Sequence, residues 1–324
     1  MFRILETHSK ASRGDAASNG ELNEGGEHMS KPQRLGGVVP ASVTPFDDRD
    51  RVDARALLRL MRWNMDQGAD SFFIGGSSAE CFLLSHSERL EVFEAAAELA
   101  DEVFLTAHVG AIATGEAENF ARRAGALGYD AVAATPPFYY GFGSEAIYAY
   151  YADIAQAAGM LVLIYNFPGN TNRPFELSDP ATRRLFQSDF ILGVKHTNQV
   201  VYQMERIKAL NPKLVLMNGF DETMVAGLAL GADGSIGSTF NFMYPHYRKI
   251  YDLFLERRHD EARALQIKAN NIMNALCDVG LIPAIKHVLA DMGVPVGMAR
   301  RPFMPLTEEQ AAMLETVLKD NLVQ

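Results

Sequence analysis

The sequence predicts an α/β protein, a (β/α)8 barrel followed by a C-terminal extension of three helices. Three observations carry this. Eight short apolar runs alternate with helix-like stretches between residues 36 and 244. The runs are nearly uninterrupted in their apolar character, as in a parallel sheet covered on both faces. Helical stretches also stop at a glycine just before the next run, at QGAD (67–70), LGYD (127–130), AAGM (157–160) and LGAD (230–233). Eight strand–helix units suit closure into a barrel. An open doubly wound sheet is the alternative.

The elements follow in order. Residues 1–34, containing KASRGDAASNGELNEGGEHMSKPQ, are small, polar and charge-mixed. They cannot bury enough apolar area to offset their ordering entropy, so a mobile tail is expected. Met29 offers an alternative start. Arg3, Arg13 and the serines suit a transit peptide, but Glu6, Asp15, Glu21, Glu24 and Glu27 weigh against one. The barrel is expected over 35–244. Its strands are GGVVPASVTPF (36–46), SFFIGG (71–76), VFLTAHVG (103–110), AVAATPPF (131–138), LVLIYNFP (161–168), ILGVKHT (191–197), LVLMNGF (214–220) and GSIGST (234–239). Their length and β-branched content mark them as strands. DARALLRLMRWNMDQG (53–68) has apolar residues at 57, 58, 61 and 65, a helical period. SHSERLEVFEAAAELA (85–100) opens with Ser85 and Glu88 at capping-box spacing. Each glycine stop predicts a left-handed cap. Beyond 245 the pattern is helical only, with DEARALQIKANNIMNALCDVG, LIPAIKHVLADMG and LTEEQAAMLETVL as the three helices of an extension over 245–324.

Composition bounds the function. Of the 324 residues 48% are hydrophobic and 22% charged, ordinary for a globular protein. A net charge of −10 argues against general affinity for nucleic acid or anionic membrane. No window approaches 18 uninterrupted apolar residues, so no membrane span is expected, and MFRILETHSK lacks a secretory apolar core. Cys81 and Cys277 make neither a disulfide framework nor a metal cluster. A reducing, cytoplasmic compartment fits, with no metal site expected.

Barrel chemistry sits at the C-terminal ends of the strands. Strand alternation would place Ile191, Gly193, Lys195 and Thr197 on one face. If that face points inward, Lys195 stands near the top of the barrel interior, where burial disfavours its charged form. A neutral amine attacks carbonyls to form a Schiff base. A lysine reaching to solvent from a strand end is the competing reading, and position alone favours it. Tyr165 could shuttle protons or be a core aromatic. In GGSSAE (75–80), Ser77 and Ser78 with exposed N–H groups could hold a carboxylate or simply form a turn. In NGFDE (218–222), Asp221 and Glu222 could bind hydroxyls or cap the following helix.

Taken together, GGSSAECFLLSHSER, TPPFYY, YNFP, GVKHT and NGFDE…GADGSIGSTFN resemble, in content and order, the pyruvate-dependent class I aldolases of the dihydrodipicolinate synthase/N-acetylneuraminate lyase superfamily. The resemblance covers about residues 36–300 and looks most like the N-acetylneuraminate lyase branch. It implies a TIM barrel, a homotetramer, and reversible aldol cleavage of a sugar acid to pyruvate without metal or organic cofactor. It implies Lys195 as the Schiff-base nucleophile and Tyr165 as the proton shuttle. Ser77 and Ser78 match the hydroxyls that hold the keto-acid carboxylate. Thr197, Gly219, Asp221, Glu222 and Ser238 match contacts to the hydroxyl-rich tail of the substrate, and Tyr139 matches an aromatic standing behind the shuttle.

Two departures stand out. Ala79 occupies a position where the family carries glycine, and its methyl group, placed where the backbone turns tightly, weighs against pyruvate affinity, whereas Ser78 keeps the hydroxyl of the family's threonine. GNTNRPF after YNFP is expected to reshape the mouth of the site. Where dihydrodipicolinate synthases carry an arginine for a second carboxylate, this chain has Asn170, which disfavours their product. An aldolase or dehydratase for another 2-keto-3-deoxy sugar acid, a dihydrodipicolinate synthase, and a non-catalytic keto-acid binder are the alternatives.

Overall fold

The structure, a computed structural model, describes residues 35–323. The tail expected over 1–34 lies outside them. Eight parallel strands form one sheet: β1 (Gly37–Pro40), β2 (Ser71–Ile74), β3 (Phe104–His108), β4 (Ala131–Ala134), β5 (Val162–Asn166), β6 (Ile191–His196), β7 (Val215–Asn218) and β8 (Gly234–Gly237). The ladder runs β1-β8-β7-β6-β5-β4-β3-β2. A parallel bridge from Ala41 to Phe73 joins its two ends, so the barrel closes.

Helices α1 (Ala54–Met65), α2 (His86–Ala96), α3 (Thr114–Ala126) and α4 (Ser144–Ala158) follow the first four strands. A single turn, α5 (Pro168–Thr171), and α6 (Pro180–Phe186) follow β5. Next come α7 (Tyr202–Leu210), α8 (Met224–Ala229) and α9 (Phe240–Leu255). The glycine stops behave as their spacing predicts: Gly68, Gly128, Gly159 and Gly231 all have positive φ. Ser85 and Glu88 form the capping box at α2. Helix α9 is kinked at Met243, just before Pro245, whose ring and missing N–H break the regular ladder. The expected boundary at 244/245 therefore falls inside α9. Beyond it lie α10 (His259–Val279), α11 (Leu281–Asp291) and α12 (Glu308–Asn321). No single helix among the described residues is long and apolar enough to cross a membrane.

Two apolar clusters follow from strand alternation. The larger lies between sheet and helices and contains Val38, Phe72, Leu105, Val132, Ile164 and Val194. The smaller fills the barrel and contains Val39, Phe73, Ala133, Leu163, Met217 and Ile236. Tyr165 belongs to the inner cluster. One expected face is corrected here. The β5–β6 register shifts after Val162, which pairs with Ile191, whereas Leu163 pairs with Gly193. Leu192 is thus an extra residue, a bulge. It turns Ile191 into the outer cluster while Lys195 stays in register with the inward Tyr165.

Candidate active site

Side chains at the C-terminal ends of β2, β5, β6, β7 and β8 surround one cavity of about 300 Å³. Lys195 is 4% exposed. Its Nζ stands 3.8 Å from the centre of the Tyr165 ring and 4.8 Å from that of Phe73. Among the described residues no carboxylate forms an ion pair with it; the two aromatic faces lie against it, and the buried Asp221 carboxyl acts on it at longer range. Tight packing at Gly193 supports this stretch of β6, because a β-carbon there would overlap the Val215 carbonyl.

Tyr165 stacks on Phe167 and meets Phe73 and His108 edge-on. Its hydroxyl is 3.4 Å from Ser77 Oγ. Ser77, Ser78 and Ala79 form a single 3-10 turn after β2. Ala79 is not the left-handed residue of this turn; that is the next one, Glu80, at φ 58°. Ala79 is buried, and its carbonyl accepts a hydrogen bond from Thr44 Oγ1 at 2.8 Å.

The opposite wall carries Thr197, Gly219, Asp221, Glu222 and Ser238. Thr197 Oγ1 is buried with no hydrogen-bond partner among the described residues. Gly219 is glycine for space, since a β-carbon there would overlap that hydroxyl. Asp221 caps a helix, though not the one directly following it. Its Oδ2 accepts from Thr239 N at 2.8 Å and Thr239 Oγ1 at 2.6 Å, at the start of α9, and from Ser238 Oγ at 3.4 Å. Burial pushes the carboxyls of Asp221 and Glu222 above the usual range.

Tyr139 stands apart in this chain. It is 84% exposed and outside the cavity of its own chain. After β4 the chain leaves through Pro136 and Pro137, and Tyr139 adopts φ 76°, which turns its side chain outward against Tyr140. Phe138 packs instead, against Phe82.

Several wall residues escaped the sequence reading. Met273 and Cys277 from α10, Leu281 and Ile282 from α11, and Phe303 line the same cavity. Nothing in their helical period distinguishes the side facing a barrel mouth from the side facing the core. Asn170 from α5, part of GNTNRPF, also reaches the cavity, as do Phe167 and Phe220. His196 points away from Lys195. Its Nδ1 accepts from Asn166 Nδ2 at 3.1 Å, and its Nε2 donates to the Val200 carbonyl at 3.2 Å. Burial lowers its pKa to about 4. A larger surface cleft of about 590 Å³, lined by Arg183, Tyr202 and Arg206, holds neither Lys195, Tyr165 nor Ser77.

Comparison with known proteins gives a consistent result. Residues 34–321 match the dihydrodipicolinate synthetase family. An N-acetylneuraminate lyase of Rhizobium meliloti is 38% identical over 282 residues, 87% of this chain and 93% of that protein. The structure of CdNal from Clostridium difficile in complex with mannosamine superposes with a TM-score of 0.86 at 32% identity, covering 90% of this chain and 100% of that one. N-acetylneuraminate lyase from Fusobacterium nucleatum, complexed with pyruvate, gives 0.83 at 31% identity, with 89% and 97% covered.

Proposed function

The chain belongs to the dihydrodipicolinate synthetase family, and we propose that it is a Schiff-base pyruvate aldolase that reversibly cleaves N-acetylneuraminate to N-acetylmannosamine and pyruvate. One observation carries the reading. A buried lysine without a carboxylate partner stands beside a buried tyrosine, facing a hydroxyl-bearing turn across a small cavity. Lysines are rarely buried so completely without a counter-ion, and an amine held this way is suited to carbonyl attack.

Lys195 Nζ adds to C2 of the open-chain keto acid and water leaves, giving a protonated imine. The Tyr165 hydroxyl oxygen accepts the C4 hydroxyl proton as its own proton passes to the substrate carboxylate. The C3–C4 bond breaks, its electron pair enters the iminium to give an enamine, and the aldehyde departs. Protonation at C3 and hydrolysis of the imine release pyruvate. Ser77 and Ser78, with the N–H groups of their turn, would hold the carboxylate. Thr197, Gly219, Asp221, Glu222 and Ser238 would face the polyol. Asn170 at the cavity supplies no cation for a second carboxylate, which supports a sugar acid over a dihydrodipicolinate precursor.

We assign the chain to the cytoplasm on its two unpaired cysteines, and to a homotetramer in which the exposed Tyr139 and Tyr140 meet a second copy. The test is borohydride trapping with pyruvate. The wild type should be trapped and Lys195→Ala should not. Trapping that survives the substitution refutes the nucleophile.

A further inference from the structure

The turn that faces the keto acid ends on an unusual residue. Glu80 has φ 58° and ψ 32°, a left-handed conformation, and its N–H closes the turn on the Ser77 carbonyl at 3.0 Å. A non-glycine residue carries a backbone cost in that region, which packed surroundings can offset. The surroundings of Glu80 come from the far end of the chain. Its side chain is fully buried, and Oε1 lies 2.6 Å from Nζ of Lys286 on α11, itself 1% exposed. The contact is an ion pair by distance and not an aligned hydrogen bond. Lys286 donates its hydrogen bond to the Met298 carbonyl at 3.1 Å and lies over the Phe46 ring. Glu80 Oε2 accepts from the backbone N–H of Arg300 at 2.7 Å. The Arg300 guanidinium grips Glu88 with two bonds, at 2.8 and 2.9 Å, and donates to the Leu83 carbonyl. Glu80 is therefore bracketed by α11 and by segment 298–300.

A buried ion pair adds little net stability over an apolar pair of the same volume. What it does supply is one defined geometry, and here that geometry belongs to the residue that ends the Ser77–Ala79 turn. We propose that Glu80 and Lys286 are positioning residues, through which the helices beyond the barrel hold this turn in its keto-acid-binding shape and set affinity for the carboxylate. The inference rests on the aldolase reading above. It gives these helices a part in substrate binding in addition to lining the cavity, and it separates the two substrates, because the opposite wall stands on β6, β7 and β8 and takes its support from α10, where Gln266 and Asn270 donate to the carbonyls of Asp221 and Glu222.

The test uses two variants of the full chain. Glu80→Gln/Lys286→Met removes both charges together and leaves none orphaned. Lys286→Arg keeps the charge on a differently shaped head. Half-saturation by pyruvate is read from borohydride trapping of Lys195, and KM for N-acetylmannosamine and kcat are read from the condensation direction at saturating pyruvate. In the double variant the pyruvate half-saturation should rise on the order of tenfold, while the other two values stay within about threefold. Lys286→Arg should fall between the double variant and the wild type. A folded double variant with wild-type pyruvate half-saturation overturns the proposal, as does a loss shared equally by both substrates. If the double variant does not fold, Lys286→Arg decides: a selective rise for pyruvate supports positioning, and wild-type behaviour refutes it. Wild-type protein that cannot be trapped at all overturns the aldolase reading, and this inference with it.

Discussion

Gly219→Ala tests the polyol wall with one methyl group. The φ of Gly219 is not left-handed, so only space is at issue. The added carbon would overlap Thr197 Oγ1 and lie 3.0 Å from Thr197 Cβ and 3.1 Å from its Cα. The hydroxyl has no partner to hold it and can rotate away, but Cβ and Cα cannot. The backbone at Thr197, two residues from Lys195, must retreat by a few tenths of an ångström before ordinary packing returns. Overpacking of this kind destabilises by about 1–3 kcal/mol. A misplacement of about 1 Å costs about 100-fold in rate, so a shift of a few tenths scales to roughly fivefold, about 1 kcal/mol of transition-state stabilisation. Pyruvate release from N-acetylneuraminate, coupled to lactate dehydrogenase, measures the second effect, and a thermal melt measures the first. Thr197→Ala in the same chain removes the overlapping oxygen. The double variant should therefore recover part of the stability without recovering activity. A Gly219→Ala protein within about threefold of wild-type kcat/KM, at an unchanged Tm, would refute both the packing argument and the placing of Thr197 against substrate.

Two further predictions concern the turn and the outer face of β6. Ala79→Gly should lower stability by about 0.4–1 kcal/mol through unfolded-state entropy and leave pyruvate half-saturation within about twofold, because Ala79 is not in the left-handed region; tighter pyruvate binding would show that the methyl group does obstruct the site. His196 is neutral in the folded protein down to about pH 4, whereas an unfolded chain protonates it near pH 6.5. Its folded pKa is depressed, so its contribution is complete above about pH 6.5 and is lost as pH falls toward 4, up to about 3 kcal/mol. His196→Gln should therefore show a shallower fall in Tm between pH 6.5 and 4 than the wild type, and parallel curves would refute the assignment.

Local chemistry made the barrel legible. Apolar runs and helical periods are written in neighbouring residues, the Ser85–Glu88 capping box spans four positions, and the glycine stops at 68, 128, 159 and 231 need only their own φ. Lys195 was visible because a charged residue interrupts a buried strand, and Ser77, Ser78, Thr197, Gly219, Asp221, Glu222 and Ser238 all reach the cavity that strand-end reasoning indicates.

What escaped depends on partners distant along the chain. The bulge at Leu192 exists only in the pairing of β6 with β5, so alternation alone put Ile191 on the wrong face. Tyr139 follows a turn whose direction no local pattern encodes, and it is exposed in its own chain. Asp221 is engaged by Thr239 at the head of α9, 18 residues on. The left-handed position of the carboxylate turn fell on Glu80 and not on Ala79, and Glu80 is held by Lys286, more than two hundred residues away. Hydrogen-bond periods and caps are properties of a short peptide, and the sequence by itself determined those elements and the buried lysine standing in one of them. Register, burial and ion pairing are properties of surfaces brought together by folding, and only the tertiary structure decided which side chains close the site and what holds its turn in place.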